Sequence, residues 1–294
     1  MAVIRNPRKN ALIAASLVAP FVLTFALVFA YPTFQVIRLS FTDSPLIGDG
    51  EWIGLDNYWR LLSDRLFYTS LWNNGYFLLL TVVPTTALAL GMALLVNKLK
   101  GRWQALVLAL FFLPYILPVS VVTEIWTWML DFQFGILQPV ITLFNGDPVA
   151  VFRNPYWVMP MIALVTVWWV NGFNVLLFIA GLRNIPRDLY EAAALDGATA
   201  RQRFLRVTWP LLWPITVLVL TLQLILQLKI FDQVYLLSLG GPFNTSYVPL
   251  LLVYREAFQL NESGYASAIA LVIFVIILVV SVLQFQLLRI VGRR

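Results

Sequence analysis

Six long apolar segments constrain this chain more than any other feature: Ala11 to Tyr31, Leu71 to Val96, Trp103 to Met129, Trp157 to Leu182, Leu211 to Leu239 and Ala266 to Leu288. Each supplies about the 20 residues needed to cross a hydrocarbon core about 30 Å thick. Inside that medium every backbone N–H and C=O needs a partner within the protein, so such segments cross as helices. The expectation is an all-α polytopic membrane protein with six transmembrane helices, residues 1–294 forming a single transmembrane domain. Composition agrees: 61% hydrophobic and 12% charged residues, with a mean hydropathy of +0.83, exclude an ordinary soluble domain.

The charges between the spans predict orientation. The N-terminal tail with Arg5, Arg8 and Lys9, the loop with Lys98, Lys100 and Arg102, the loop from Arg183 to Pro210, and the tail with Arg289, Arg293 and Arg294 hold 14 basic and 3 acidic residues. The alternate connections hold 5 basic and 9 acidic residues, so the first set is expected in the cytoplasm, both termini included. The first apolar run exceeds the about 7 to 15 residues of a signal-peptide core, which predicts an uncleaved anchor. These basic clusters flank apolar runs and therefore report membrane orientation and lipid contact rather than nucleic-acid binding.

Chemistry is narrowed by what is missing. The sequence has no cysteine and no histidine, which removes disulfides, thiolate nucleophiles, imidazole bases and the commonest transition-metal ligands. No carboxylate cluster or nucleophile with a base stands out, which argues against a membrane-embedded enzyme and against a bound metal or cofactor on this chain. A secondary transporter is the alternative transport reading; it would work alone and would show two repeated halves, and none is evident.

Proline positions predict irregular spans. Pro114 and Pro118 should kink the third, and Pro210 and Pro214 should bend the inner end of the fifth, whose 29 residues would extend about 43 Å as a straight helix. Outside the membrane, Asp56 is expected to cap a short amphipathic helix with Arg60 and Asp64 facing water. The segment from Tyr247 to Phe258 is too short to span and is expected along the outer face.

One stretch reads differently: "PRDLYEAAALDGATARQRFLRVTWP", from Pro186 to Pro210, with seven charged residues. Pro186 suits a first helical turn, Asp188 and Glu191 lie near the positive end of the dipole, and three alanines propagate the helix. Gly197 can take the left-handed conformation that ends it. A second helix from Ala198 would then run to Pro210. Low-relief alanines suit either a simple connector or docking into a partner's groove.

The pattern formed by Glu191, Ala192, Ala193 and Gly197, and closed by Val207 and Pro210, resembles the cytoplasmic EAA loop of binding-protein-dependent ABC transporter permeases, with Trp209 where leucine is usual; the resemblance implies that Glu191, Ala192, Ala193, Asp196 and Gly197 couple to an ATPase. "GLDNYWRLL", "LPYILP", "LGGPFNTS" and "GYASAIA" are similar to the carbohydrate-type permeases related to the maltose transporter, while Gln138 replaces a common asparagine. This resemblance implies a type I ABC importer permease fold in a bacterial inner membrane. It also implies a second permease subunit, an extracytoplasmic solute-binding protein, and two ATPase subunits that hold ATP and Mg. No phosphate-binding GxxxxGK[ST] motif occurs in this chain.

Polar residues inside spans are expected to face the bundle or a cavity. Asn171 and Asn174, with Gly172 between them, form one stripe; Gln223 and Gln227 form another. With Lys229, they are the candidate substrate pathway, Trp168 and Trp169 offering flat apolar faces to a sugar; hydrogen bonding between helices is the competing reading. Lys229 and Asp232, one helical turn apart, are expected to form an intramembrane charge pair.

Overall fold

The computed structural model describes residues 7–291, with side chains for 13–288. Arg5, Arg293 and Arg294, used above for orientation, lie outside the described residues, as do the side chains of Arg8, Lys9 and Arg289. In chain order the α-helices are α1 (Pro7–Phe25), α2 (Tyr31–Leu39), α3 (Asp56–Ser63), α4 (Arg65–Val96), α5 (Gly101–Ile116), α6 (Val119–Met129) and α7 (Gln138–Asn145). They continue with α8 (Val158–Arg183), α9 (Arg187–Leu195), α10 (Ala200–Arg203), α11 (Trp209–Leu228), α12 (Asp232–Leu237), α13 (Pro249–Tyr254) and α14 (Ser263–Val291). Three π-helical stretches, Ala26–Ala30, Phe204–Thr208 and Arg255–Gln259, join α1 to α2, α10 to α11, and follow α13.

Among the described residues, five continuous helices are long and apolar enough to cross a membrane: Ile13–Leu39, Arg65–Val96, Val158–Arg183, Ala200–Leu228 and Ser263–Leu288. The sixth expected span is the pair α5 and α6, bent by 98°. The break falls at Leu117 and Pro118, both extended, for the predicted reason: Pro118 cannot donate to a helix running through it. The fifth span differs from expectation. It begins at Ala200 and ends at Leu228, so the expected 211–239 helix is displaced toward the 183–210 loop and broken after Leu228. Pro210 starts no new helix; the π turn before it lets Trp209 N–H reach Phe204 O, five residues back, and the helix runs on.

The chain forms two compact units. The first comprises residues 1–64 and 253–272. Its span from Ile13 to Leu39 has no buried residue in its apolar window. Elsewhere in this unit polar groups converge: Asn57 Nδ2 donates to Ser40 O and Thr42 O, and Ser263 Oγ donates to Ser44 O and Pro45 O. Arg60 pairs with Glu262 and Glu256, and Tyr265 Oη donates to Asp64 Oδ2 at 2.8 Å. Asp56 opens α3 but does not cap it; Leu55 holds that position without a side-chain bond.

The second unit comprises residues 65–252 and 273–294, and α8 lies at its centre, packed against α4, α5 and α11. Ala89, Ala93 and Val96 of α4 meet Val175, Phe178, Ile179 and Leu182 of α8 and Leu212 and Val219 of α11 in one buried cluster. Small residues permit that approach. At Gly172 the approach is closest: an added Cβ would lie 1.9 Å from the Phe111 carbonyl oxygen. Trp213 Nε1 donates to Leu288 O and ties α11 to α14.

Candidate coupling loop and intramembrane polar cluster

The charged loop is built as the sequence suggested, with sharper ends. Pro186 is the N-cap and α9 follows from Arg187. At the other end Ala198 N–H bonds to Ala193 O and Gly197 N–H to Ala194 O, a Schellman termination that puts Gly197 at φ +76°. Thr199 then starts α10 with a capping box: its Oγ1 accepts from Gln202 N–H, and Gln202 Oε1 accepts from Thr199 N–H. Glu191, Ala192, Asp196 and Gly197 are exposed and Ala193 is half-buried. Leu195 is 90% exposed at the tip of α9. One residue of α9 turns inward: Tyr190 packs on the buried cluster and its Oη lies 3.0 Å from Thr208 Oγ1.

Within the membrane the amides separate into two environments. Asn174, Gln223 and Gln227 are all but fully buried and satisfy one another: Gln227 Nε2 donates to Gln223 Oε1 at 3.1 Å, and Gln223 Nε2 to Asn174 Oδ1 at 3.0 Å. Asn174 Nδ2 donates to Val170 O, while Asn74 Nδ2 from α4 takes up Gln227 O near the broken end of α11. The cluster thus joins α8, α11 and α4 by hydrogen bonds made within the chain. Asn171 and Gly172 instead line a cavity of about 530 Å³ with Met92, Phe111, Trp126 and Trp168. Its wall is almost wholly apolar; Asn171 Nδ2 donates to Met92 Sδ at 3.1 Å, and its Oδ1 is buried without a hydrogen bond. Trp126 and Trp168 meet edge to face there, 5.5 Å apart.

The charge pair does not form. Lys229 is the C-cap of α11, Phe231 breaks the helix at φ −145° and ψ −59°, and Asp232 opens α12. The i, i+3 geometry needs a continuous helix between the two residues, and both are exposed instead. Ion pairs join Arg60 to Glu256 and Glu262, and Arg255 to Glu256.

Several structural residues escaped the sequence reading. Asn73 Nδ2 donates to Asn244 O and Tyr247 O and so pins the "LGGPFNTS" loop, where Leu239, Phe243 and Asn244 have positive φ. The adjacent asparagines in the apolar run "LWNNGYFLLL" were the available signal. Gln138, the departure noted above, staples its own loop by donating to Leu130 O and Val149 O and accepting from Val149 N–H.

Comparison with known proteins places this architecture. The chain is 31% identical to the sulfoquinovosyl glycerol transport permease of Agrobacterium fabrum, over 95% of this chain and 91% of that one. It is 32% identical to the arabinooligosaccharide transport permease of Bacillus subtilis (92% and 86% covered) and 34% identical to the trehalose/maltose transport permease of Thermococcus litoralis (80% and 79%). The fold matches a chain in the crystal structure of a bacterial ABC transporter that imports alginate, with a TM-score of 0.85 over 96% of both chains at 23% identity. Residues 85–293 match the sequence model of the binding-protein-dependent transport system inner membrane component. By that match, which spans more than half of its length, the chain belongs to the family of inner membrane permease components of binding-protein-dependent ABC transport systems.

Proposed function

We propose that this permease imports a carbohydrate or related polar solute across a bacterial inner membrane, with both termini and the 183–210 loop in the cytoplasm and ATP hydrolysed on separate subunits. The observation that carries the reading is α9. It is a short helix with Glu191, Ala192, Asp196 and Gly197 in the open and Leu195 uncovered at its tip, and the helix that follows its turn runs unbroken into the fifth span. Exposed apolar surface beside acidic residues on a low-relief helix is suited to a groove on another protein. That protein is one of two ATPase subunits, which carry the ATP and Mg; a second permease and an extracytoplasmic solute-binding protein complete the assembly. Closure of the ATPase pair pushes α9, and α11 carries the displacement into the bundle.

Carbohydrate is favoured because the three relatives above are named for sugar-derived solutes. Asn171 is the first candidate to meet the solute, since it lines the cavity beside Trp168, with Gly172 at the wall. Asn174, Gln223 and Gln227 join the pathway when the bundle opens, exchanging one another for solute hydroxyls. Lys229, exposed at the end of α11, would serve an anionic solute.

Glu191→Arg and Gly197→Pro should each abolish ATP-driven transport while leaving the chain inserted. Full transport by either variant would overturn the coupling role. Because the chain has no cysteine, Ala200→Cys reports orientation cleanly; it should react only from the cytoplasmic side, and reaction from outside would reverse the topology.

A further inference from the structure

We infer that Tyr190 is a positioning residue, the strut that makes α9 and the fifth span move as one body. The inference rests on the proposed docking role of α9. The helix is held by the chain at both ends, through Ile185 from α8 and through the turn at Gly197 toward α11. The second path is the compliant one, because it passes through a glycine at φ +76° and the short segment before α10. A push on α9 could therefore be absorbed at that turn and never reach the span.

The Tyr190 side chain closes the gap. Its hydroxyl meets Thr208 Oγ1 at 3.0 Å, across 18 residues of sequence, and Thr208 is 5% exposed. Its ring packs against the cluster that holds Val96, Leu182, Ile185 and Leu212. With that bond in place, α9, the glycine turn and the Ala200–Leu228 helix form a closed triangle whose third side is the Tyr190–Thr208 contact. The contact falls on the last residue of the Phe204–Thr208 π turn. Such turns interrupt the regular hydrogen-bond ladder and often occur at functional sites. A strut there braces the helix where its own backbone is least regular.

The test separates bracing from packing. Tyr190→Phe keeps the ring in the cluster and removes only the hydroxyl; Thr208→Val removes the partner hydroxyl, and Thr208→Ser keeps it. Spin labels at Arg187→Cys, at the end of α9 away from its exposed tip, and Leu211→Cys, both exposed positions in a cysteine-free chain, report the distance between α9 and the start of α11 in the assembled transporter. The parent should give one narrow distance distribution, unchanged between the nucleotide-free and vanadate-trapped states. Tyr190→Phe and Thr208→Val should broaden it in the trapped state and lower stimulation of ATP hydrolysis by the binding protein about fivefold, the size of one net hydrogen bond. Thr208→Ser should behave as the parent. Identical distributions in Tyr190→Phe and the parent would overturn the strut, as would equal broadening in Thr208→Ser and Thr208→Val. If Glu191→Arg remains inactive in that case, only the strut has failed; if Glu191→Arg transports normally, the docking reading has failed.

Discussion

The loop from Pro186 to Pro210 and the cluster of Asn174, Gln223 and Gln227 both interrupt an apolar chain with polar groups, yet they resolve the interruption in opposite ways. In the cluster the amides find their partners inside the chain, at exposures of 0%, 1% and 3%. In the loop, Glu191 and Asp196 remain in the open and an apolar side chain, Leu195, is left uncovered. Buried polar groups with internal partners serve to hold helices together. Exposed groups on an ordered helix, with nothing in the chain to cover them, are available to another molecule. Polarity within an apolar sequence therefore marks a place of interest without saying which kind; the location of its partners decides.

That contrast predicts stability effects in the bundle and coupling effects in the loop. The largest is Gly172→Val, which drives a side chain into the Phe111 carbonyl and should cost about 3 kcal/mol or more, seen as a marked fall in thermal midpoint in detergent. Asn174→Ala, which leaves Gln223 Nε2 without its acceptor, should cost about 1–3 kcal/mol. The double variant Asn174→Leu, Gln223→Leu should be less destabilised than the sum of its single changes, because no unpaired amide remains; strict additivity would deny the cluster its role. In the loop, Leu195→Ser should change stability by no more than about 0.5 kcal/mol while greatly reducing binding-protein-stimulated ATP hydrolysis. A large loss of stability there would mean that α9 is packed rather than presented.

Glu256 lies between the two cases, buried in the first unit and only partly paired. Burial pushes its carboxyl above the ordinary 4.5, with Arg255 and Arg60 offsetting part of that rise. A raised carboxyl binds its proton more tightly in the folded than in the unfolded state, so its contribution is favourable below about pH 4.5 and is lost as pH rises through the folded value. Thermal midpoints should show a small decline over that window, and Glu256→Gln should flatten it. An increase that depends on Glu256 would contradict the sign.

Much of this was legible in the sequence because the membrane reduces the choices. Apolar length found the spans, Pro118 gave the break in the third, and Gly197 gave the end of α9. Errors arose where local and tertiary effects compete. The stretch from Ala198 to Pro210 reads as a separate helix because proline normally ends one, but a π turn carries the chain past it. Lys229 and Asp232 read as a pair because spacing implies a continuous helix, while the helix stops at Leu228 and Asn74 from a distant span takes up Gln227 O. Tyr190 passed as an ordinary helix residue, since nothing local reveals that Thr208 lies opposite.

The central claim is that α9 meets the motor, and proximity tests it most directly. In the assembled transporter, Ala192→Cys treated with a short thiol–amine crosslinker should join this chain to an ATPase subunit, whereas Phe144→Cys, also exposed but far along the chain in α7, should not. Absence of the Ala192 product when the assembly is intact, or equal crosslinking from position 144, would contradict the account.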